Sequence, residues 1–265
     1  MLDFCAKLGA WPYRPVHDVK KLLHAMDAHE IDHAVVSSLS AVHYLNPQDG
    51  NEELARIVAR TRDRFVPFAV IRPDFTGWED DLTKCYARYG MKGIVLHPGY
   101  HGYTLNEPCL EALMHAAAER SLPVCVQTTM EDPRRQFNRP IVPQTPPAEV
   151  GALARKYPET TVVALGLKGG QPEEMGEPLA GNLYFDISNY ERMNLIEEAV
   201  ERFGARRMLF GAHFPLFNVE ANVRKLACAD ISKEARKAIG EGNARDLLKW
   251  SHSGGFLTPS AESLI

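Results

Sequence analysis

The amino-acid sequence alternates, along nearly its whole length, between short apolar runs and longer amphipathic stretches. The apolar runs are rich in Val, Ile, Leu and Phe, and several lack the polar alternation of a sheet with one face in water. This pattern is typical of parallel strands that are covered on both faces. The runs predict eight strands, over residues 2–6, 34–37, 65–70, 93–96, 123–126, 161–165, 183–187 and 208–210.

The stretches between these runs have helical spacing. Leu110, Leu113 and Ala117, for example, form the i, i+3, i+7 stripe of a helix that lies on a sheet. The spacing predicts helices over residues 19–28, 52–62, 78–89, 111–120, 147–156, 195–203, 219–227 and 232–249.

Eight strand–helix units leave few topologies open. Strict alternation requires parallel strands joined by right-handed crossovers, and eight such strands close a sheet on itself. The sequence therefore predicts an α/β fold, a single-domain (β/α)8 TIM barrel over residues 1–250, followed by a weakly structured tail over 251–265. An open doubly wound sheet is the alternative, but the glycine-rich phosphate turns expected of it are absent from the sequence.

Composition and net charge indicate which classes of binding partner to expect. The 265 residues are 45% hydrophobic and 24% charged, and 30 Lys and Arg against 34 Asp and Glu give a net charge of -4. This balance provides no electrostatic basis for binding nucleic acid or an anionic membrane. The first residues lack the features of a signal peptide, no long apolar window occurs, and the five cysteines include no C-x-x-C pair. We therefore expect a cytoplasmic protein with reduced thiols and a small-molecule substrate.

Four segments point to a known family. They read KGIVLHP at 92–98, GNLYFDIS at 181–188, LFGAHFP at 209–215 and NARDLL at 243–248. In this order they resemble the amidohydrolase-related family, the amidohydrolase 2 group of TIM-barrel metal-dependent hydrolases and decarboxylases. The resemblance spans nearly the whole chain and implies a hydrolase, if the protein is active, that acts on a small carbonyl or carboxylate compound. It also implies a homodimer.

The metal ligands of that family are replaced in this sequence. The family's first strand ends in D-x-H-x-H, whose histidines bind a divalent metal such as zinc, whereas this chain has Cys5 and Lys7 in their places. Gln127 replaces the ligand histidine of the fifth strand, and His213 stands where the eighth strand supplies an aspartate. We therefore expect no cofactor at the family position. A rearranged site built from His97, His213 and Cys5 is the alternative.

Functional groups of a TIM barrel project from the C-terminal ends of its strands. In a metal-independent hydrolase, Lys7 would polarise a carbonyl or hold a carboxylate, His213 would act as general base, and Asp186 would complete the catalytic set. A Schiff base at Lys7 is a further alternative. The expected substrate-binding residues are Cys5, Arg72, His97, His101 and Gln127.

Two other hypotheses compete with this one. In the first, Lys7 forms a salt bridge with Asp186 or another acid, and the barrel is a non-catalytic scaffold or small-molecule binding protein. In the second, the protein is a metal-dependent hydrolase or decarboxylase with rearranged ligands. Arg72 has an ordinary structural alternative as well, a salt bridge with Asp74. The irregular stretch 128–146, with Arg134, Arg135 and Arg139, is expected to lie over the barrel mouth.

Overall fold

Parallel strands line the interior of the protein, and each pairs with its neighbour along the chain except β3 and β4, which follow one another in one line. The computed structural model describes residues 1–12, 18–61, 64–132, 141–169 and 171–250. The strands are β1 (Leu2–Leu8), β2 (His33–Ser38), β3 (Phe65–Pro67), β4 (Ala69–Val70), β5 (Ile94–Leu96), β6 (Val124–Gln127), β7 (Val162–Leu165), β8 (Leu183–Asp186) and β9 (Met208–Leu209).

Eight strand positions close into a barrel. β3 and β4 together form the third position, because Phe68 between them donates its backbone N–H to the Val36 carbonyl at 2.9 Å. The first and last positions meet where the Phe4 N–H donates to the Phe210 carbonyl at 2.8 Å and the Lys7 N–H to the Phe214 carbonyl at 2.9 Å. The predicted (β/α)8 architecture is confirmed.

Helices cover the outside of the strands. They are α1 (Val19–Ala28), α2 (Ser40–His43), α3 (Pro47–Val58), α4 (Trp78–Ala87), α5 (Pro98–His101), α6 (Cys109–Glu119), α7 (Pro147–Lys156), α8 (Leu195–Phe203), α9 (Val219–Cys228), α10 (Lys233–Lys237) and α11 (Asn243–Leu247). One apolar cluster fills the space between strands and helices, and a second fills the barrel interior, where Phe4 meets Phe68 edge-on with ring centroids 5.8 Å apart. No helix among the described residues is long and apolar enough to cross a bilayer.

The short helices α2 and α5 were not predicted, and two predicted helices differ markedly from those in the structure. α3 begins at Pro47 rather than at 52, because the Asn46 side chain accepts a hydrogen bond from the Gln48 N–H and caps the helix. The helix expected over 232–249 is interrupted by a π-helical segment, Ala238–Gly242. There the Ile239 carbonyl accepts a bond from the Phe210 N–H at 2.9 Å. The tail over 251–265 lies outside the described residues, so its expected lack of structure stays a prediction.

Asn51 on α3 holds the short strand β4 in place. Its side chain is fully buried, and it donates to the Val70 carbonyl and accepts from the Val70 N–H, both at 2.9 Å. These two bonds satisfy backbone groups of a strand only two residues long. The Asn51 side chain therefore takes the place of a neighbouring strand in satisfying the backbone of Val70.

We predict that Asn51→Ala lowers the free energy of unfolding by about 2–4 kcal/mol, because it leaves two buried backbone groups without partners. Urea denaturation followed by circular dichroism measures the change. Asn106→Ala, at an exposed position, is the control and should stay within about 0.5 kcal/mol of the wild type. Equal stability of the two variants would contradict this role of Asn51.

Candidate active site

A β-bulge on β1 directs two functional side chains into the barrel. Asp3 pairs with Ala34 but Ala6 pairs with Val36, so β1 contains one residue more than its partner over this span. Ahead of the bulge Phe4 faces the interior cluster, and beyond it Ala6 and Leu8 face the helices. Because strand side chains alternate, Cys5 and Lys7 then share the interior face. Both side chains are buried.

The Asp3 carboxylate fixes this bulge and joins it to the last strand. Its Oδ1 accepts hydrogen bonds from the Cys5 N–H at 2.9 Å and from the Ala212 N–H at 2.8 Å. Burial, as the main cause, raises the pKa of Asp3 from 3.8 to about 6. The Asp3 carboxylate thus holds the residue after Gly211 close to Cys5.

His213 follows directly and is held at both ring nitrogens. Its backbone lies in the left-handed region at φ 53°, an unfavourable conformation for a residue with a Cβ. Its Nε2 lies 2.9 Å from the Met130 carbonyl, its Nδ1 lies 3.3 Å from the Cys5 sulfur, and its ring stacks on Phe217 at 4.6 Å between centroids. Burial, followed by the charge of Lys7, lowers the pKa of His213 well below its usual value, so the ring is neutral.

Asp186, at the end of β8, completes the group around Cys5. Its Oδ1 accepts a hydrogen bond from the Gly166 N–H at 2.8 Å, and Oδ2 has no partner among the described residues. A methyl group on Gly211 would lie 2.6 Å from that Oδ2 and 3.1 Å from the Cys5 Cβ. Only glycine at 211 lets both side chains approach the backbone of the last strand so closely. Burial raises the pKa of Asp186 above its usual value.

Other buried polar atoms without partners lie at the same end of the barrel. His97 follows β5, and neither of its ring nitrogens has a partner within the described part of the chain. Burial, then the charge of Lys7, lowers the pKa of His97 well below its usual value. Gln127 donates to the Thr129 and Leu165 carbonyls at 2.9 and 3.2 Å, which leaves its Oε1 without a partner in the described ranges.

Lys7 contributes the positive charge at the centre of this group. The residue is 1% exposed, and its ammonium makes no hydrogen bond or ion pair with any described residue. Its charge lowers the pKa values of Asp3 and Asp186, although burial has the larger, opposite effect on both. The salt bridge to Asp186 that the scaffold hypothesis invokes is not found within the described ranges.

Two further predicted substrate-binding residues, Arg72 and His101, lie next to Asp74 and His97. Arg72 forms a bidentate salt bridge with Asp74, with both N···O distances at 2.9 Å. This is the salt bridge that the sequence offered as an alternative to substrate binding. His101 is buried next to Tyr103, with its ring centroid 5.9 Å from that of His97. Burial is the main cause that lowers the pKa of His101 to about 4. The predicted loop residues Arg134, Arg135 and Arg139 lie outside the described residues.

An apolar cluster and an open cavity adjoin the site. The apolar cluster contains Trp11, Leu39, Val42, Met130 and Leu216, so the residue whose carbonyl holds His213 is part of it. A cavity of about 560 Å³ opens beside it, between the loop after β8 and helices α8 and α9. Phe217 and Ser188 line this cavity. Since Phe217 also stacks on His213, its ring contacts both the cavity and the buried imidazole.

Sequence reasoning placed Cys5, Lys7, Asp186 and His213 together but gave Asp3 and the Met130 carbonyl no role. Asp3 stands at the aspartate of the family's D-x-H-x-H pattern, which is a signal for its importance. The Met130 contact has no signal in the sequence, because a backbone carbonyl is available at every residue.

The raised pKa of Asp3 gives a prediction with a definite sign. The folded-state value lies above the unfolded one, so this carboxyl lowers the free energy of unfolding as the pH rises from about 4 to about 6. We predict that the free energy of unfolding of the wild type falls by about 2–3 kcal/mol relative to that of Asp3→Asn between about pH 4 and pH 7.

Chemical denaturation at a series of pH values measures this difference. Asp18→Asn is the control with the opposite sign, because a hydrogen bond from the Lys21 N–H lowers the pKa of Asp18. The free energy of unfolding of the wild type should therefore increase relative to that of Asp18→Asn as the pH rises. A pH-independent difference for Asp3→Asn would contradict the interpretation of Asp3 as a buried, titrating carboxyl.

Solved structures with this architecture come from several bacteria. The 2,6-dihydroxybenzoate decarboxylase from Rhizobium has a TM-score of 0.73 and 16% identity, over 94% of this chain and 98% of that one. A dihydroxybenzoic acid decarboxylase from Polaromonas, solved with manganese and 2-nitroresorcinol, has a TM-score of 0.74 and 16% identity, with 94% and 96% covered. A probable 2-pyrone-4,6-dicarboxylic acid hydrolase from Acinetobacter baumannii, with citric acid bound, has a TM-score of 0.68 and 15% identity, with 94% and 99% covered.

These similarities extend over whole chains and confirm the fold. A search of curated proteins finds no match to the sequence. The amidohydrolase family itself matches residues 7–250, which is nearly all of the barrel and includes Lys7, Asp186 and His213. The protein is therefore a member of the amidohydrolase family, with the TIM-barrel fold of its relatives.

Proposed function

We propose that this protein is a hydrolase or lyase that acts on a small carbonyl compound bearing a carboxylate, with the Lys7 ammonium in the role that the family gives to a metal ion. The observation that supports the proposal is that the Lys7 side chain is buried without a counter-ion among the described residues. Its ammonium is buried at the C-terminal end of β1 and has no partner among the described residues. A buried charge without a counter-ion is costly, and an anionic ligand removes that cost.

The surrounding polar atoms support a small polar ligand rather than an apolar one. Asp186 Oδ2, Gln127 Oε1 and both ring nitrogens of His97 are buried without partners in the described part of the chain. Each such atom costs about 1–3 kcal/mol when it stays unsatisfied. A ligand with both donor and acceptor groups satisfies several of them at once. The site therefore favours a compound whose carboxylate or carbonyl oxygen binds Lys7 and whose other polar groups reach His97 and Asp186.

Each residue has a distinct task in this proposal. Lys7 binds a carboxylate or polarises a carbonyl oxygen in a water-poor site, where an electrostatic interaction is stronger than in bulk water. His97 and Gln127 orient the substrate. Asp186 accepts a hydrogen bond through Oδ2, and its raised pKa lets it hold a proton at a higher pH than an exposed aspartate.

We predict that Lys7→Met reduces the affinity for small carboxylates by at least about tenfold, since it removes the charge and keeps the length of the side chain. Isothermal titration of acetate, benzoate and glutarate against the untagged protein measures this. Lys20→Met, at an exposed position, is the matched control and should bind as the wild type does. Equal affinities for wild type and Lys7→Met would overturn the proposal.

A second candidate function is supported by one specific observation. The Cys5 sulfur, a ring nitrogen of His213 and a carboxylate oxygen of Asp186 all lie within 4.8 Å of one another. Three such donors fit a zinc-type ion better than manganese, because the thiolate is a soft ligand. Cys5, Asp186 and His213 would hold the ion, which would act as a Lewis acid toward a carbonyl. The Lys7 charge opposes it, since it lies close enough to shift the pKa of all three.

Elemental analysis of protein purified without added metal and without a histidine tag separates the two functions. The function based on Lys7 predicts well under one equivalent of zinc, manganese, iron or nickel per chain in both wild type and Cys5→Ser. The metal-dependent function predicts about one equivalent in the wild type and its loss in Cys5→Ser. Stoichiometric metal in the wild type would contradict the assignment of the metal's role to Lys7.

A further inference from the structure

We infer that Cys5 is the nucleophile of this site, that His213 is its general base, and that the substrate carbonyl belongs to an ester or lactone. This inference rests on the proposed function, because Lys7 is taken to hold the carboxylate of the same substrate. It extends that function by replacing an activated water with a side chain of the protein as the first attacking group.

The hydrogen bonds of His213 define which ring nitrogen is the base. A backbone carbonyl accepts but never donates, so the nitrogen 2.9 Å from the Met130 carbonyl, Nε2, carries the hydrogen. In a neutral ring Nδ1 is then a lone pair, and it faces the Cys5 sulfur at 3.3 Å. The thiol therefore donates to the imidazole. This is the arrangement of a nucleophile next to its base, with Met130 as the group that orients the base.

Comparison with the other cysteines shows that this environment is specific. Cys125 is buried in the same interior cluster, yet it makes no hydrogen bond with any described residue. Cys85 donates to the Gln48 side-chain oxygen at 3.2 Å, and that oxygen is not a base. Among the described cysteines only Cys5 faces an imidazole lone pair. Packing alone explains a buried cysteine, but it does not explain a histidine held in the left-handed region against the sulfur.

The neighbours of Cys5 suit acyl transfer. Burial raises the pKa of the Cys5 thiol well above its usual value. The charge of Lys7, two residues along β1 on the same interior face, acts in the opposite direction and favours the thiolate. A ring nitrogen of His97, which has no partner among the residues the structure describes, provides a donor for a carbonyl oxygen that becomes negative. The cavity of about 560 Å³ is lined by Phe217, whose ring stacks on His213, so it lies one side chain away from the base.

The chemical steps balance without an oxidant or a reductant. The S–H proton of Cys5 moves to His213 Nδ1 as the sulfur bonds to the ester carbon. The C–O bond then breaks, the alcohol oxygen takes the proton from Nδ1, and a thioester remains on Cys5. Water adds to the thioester carbon and gives its proton to Nδ1, the C–S bond breaks, and the sulfur recovers the proton. The products are one carboxylic acid and one alcohol.

The test uses mono(4-nitrophenyl) glutarate, an ester that also bears a carboxylate, with 4-nitrophenyl acetate for comparison. Full-length wild type is mixed with either ester, quenched in acid and analysed by intact mass and peptide mapping, while nitrophenolate release is followed by absorbance. We expect a glutaryl adduct on Cys5 and a burst of nitrophenolate. Cys5→Ser and Cys5→Ala should lose both, and His213→Gln should acylate about 100-fold more slowly or worse. Cys125→Ser, the matched control, should react as the wild type does.

Circular dichroism and thermal unfolding identify any variant that fails to fold, and iodoacetamide gives a second measurement on the wild type alone. Cys5 should be alkylated in the folded protein faster than Cys125. The inference is overturned if the adduct forms on another residue, if Cys5→Ser releases nitrophenolate at the wild-type rate, or if Cys5 reacts with neither ester nor iodoacetamide. Zinc that is present in the wild type and lost in Cys5→Ser overturns it too.

Lys7→Met separates this inference from the proposed function. If both hold, Lys7→Met loses the preference for the carboxylate-bearing ester over the acetate, acylation slows, and the adduct that does form lies on Cys5. If Lys7→Met keeps that preference, the proposed role of Lys7 fails and the Cys5 nucleophile stands. If the preference is lost but the Cys5 variants are fully active, the nucleophile fails and the role of Lys7 stands.

Discussion

The Asp3 carboxylate is the interaction on which the rest of the site depends. One oxygen accepts from the Cys5 and Ala212 amides, so it joins the bulge on the first strand to the end of the last strand. It acts together with the backbone hydrogen bonds from Phe4 to Phe210 and from Lys7 to Phe214, which pair the first strand with the chain around His213. A carboxylate is suited to the task because one oxygen accepts two amide hydrogens. Burial of that charge is the cost, and it is visible in the raised pKa.

The proposed role of Lys7 in place of a metal ion changes what kind of nucleophile the barrel needs. A divalent ion lowers the pKa of a bound water and so supplies a hydroxide at neutral pH. An ammonium polarises a carbonyl but does not activate water in this way. A chain that relies on Lys7 therefore needs an attacking group of its own, and the residue two positions before Lys7 is a cysteine next to a neutral imidazole. In this interpretation, the substitutions at 5, 7 and 213 form one coordinated change.

Most of the fold could be predicted from the sequence, because the hydrophobic period of each strand and helix is a local property. The third strand, the helix α7 and the closing order of the barrel all follow from it. The π-helical segment at Ala238–Gly242 could not be predicted, because its contact is not local: the Ile239 carbonyl accepts a hydrogen bond from the Phe210 N–H, 29 residues earlier in the chain. The start of α3 was missed because its cap, Asn46, precedes the apolar stripe.

The candidate site also has a part that could be predicted from the sequence and a part that could not. Cys5, Lys7, Asp186 and His213 could be placed at one end of the barrel, since the strand ends of a parallel barrel all meet there. The partners of these residues could not. Whether Cys5 faces the interior depends on a bulge of one residue, and a shift of one residue turns every later side chain of the strand to the other face. Arg72 pairs with Asp74, two residues along, a contact that the sequence left open against substrate binding.

The hydrogen bond from Phe210 to Ile239 also constrains the order in which the chain becomes structured. The last strand receives one partner from Phe4, near the start of the chain, and another from the closing helix, near its end. Closing such long loops carries an entropic penalty before the contacts compensate for it. During synthesis, Phe4 is made first and Ile239 follows Phe210, so the last strand can pair with both only when nearly the whole barrel has been made. Barrel closure, and with it the meeting of Cys5 and His213, is therefore a late event in the formation of this protein.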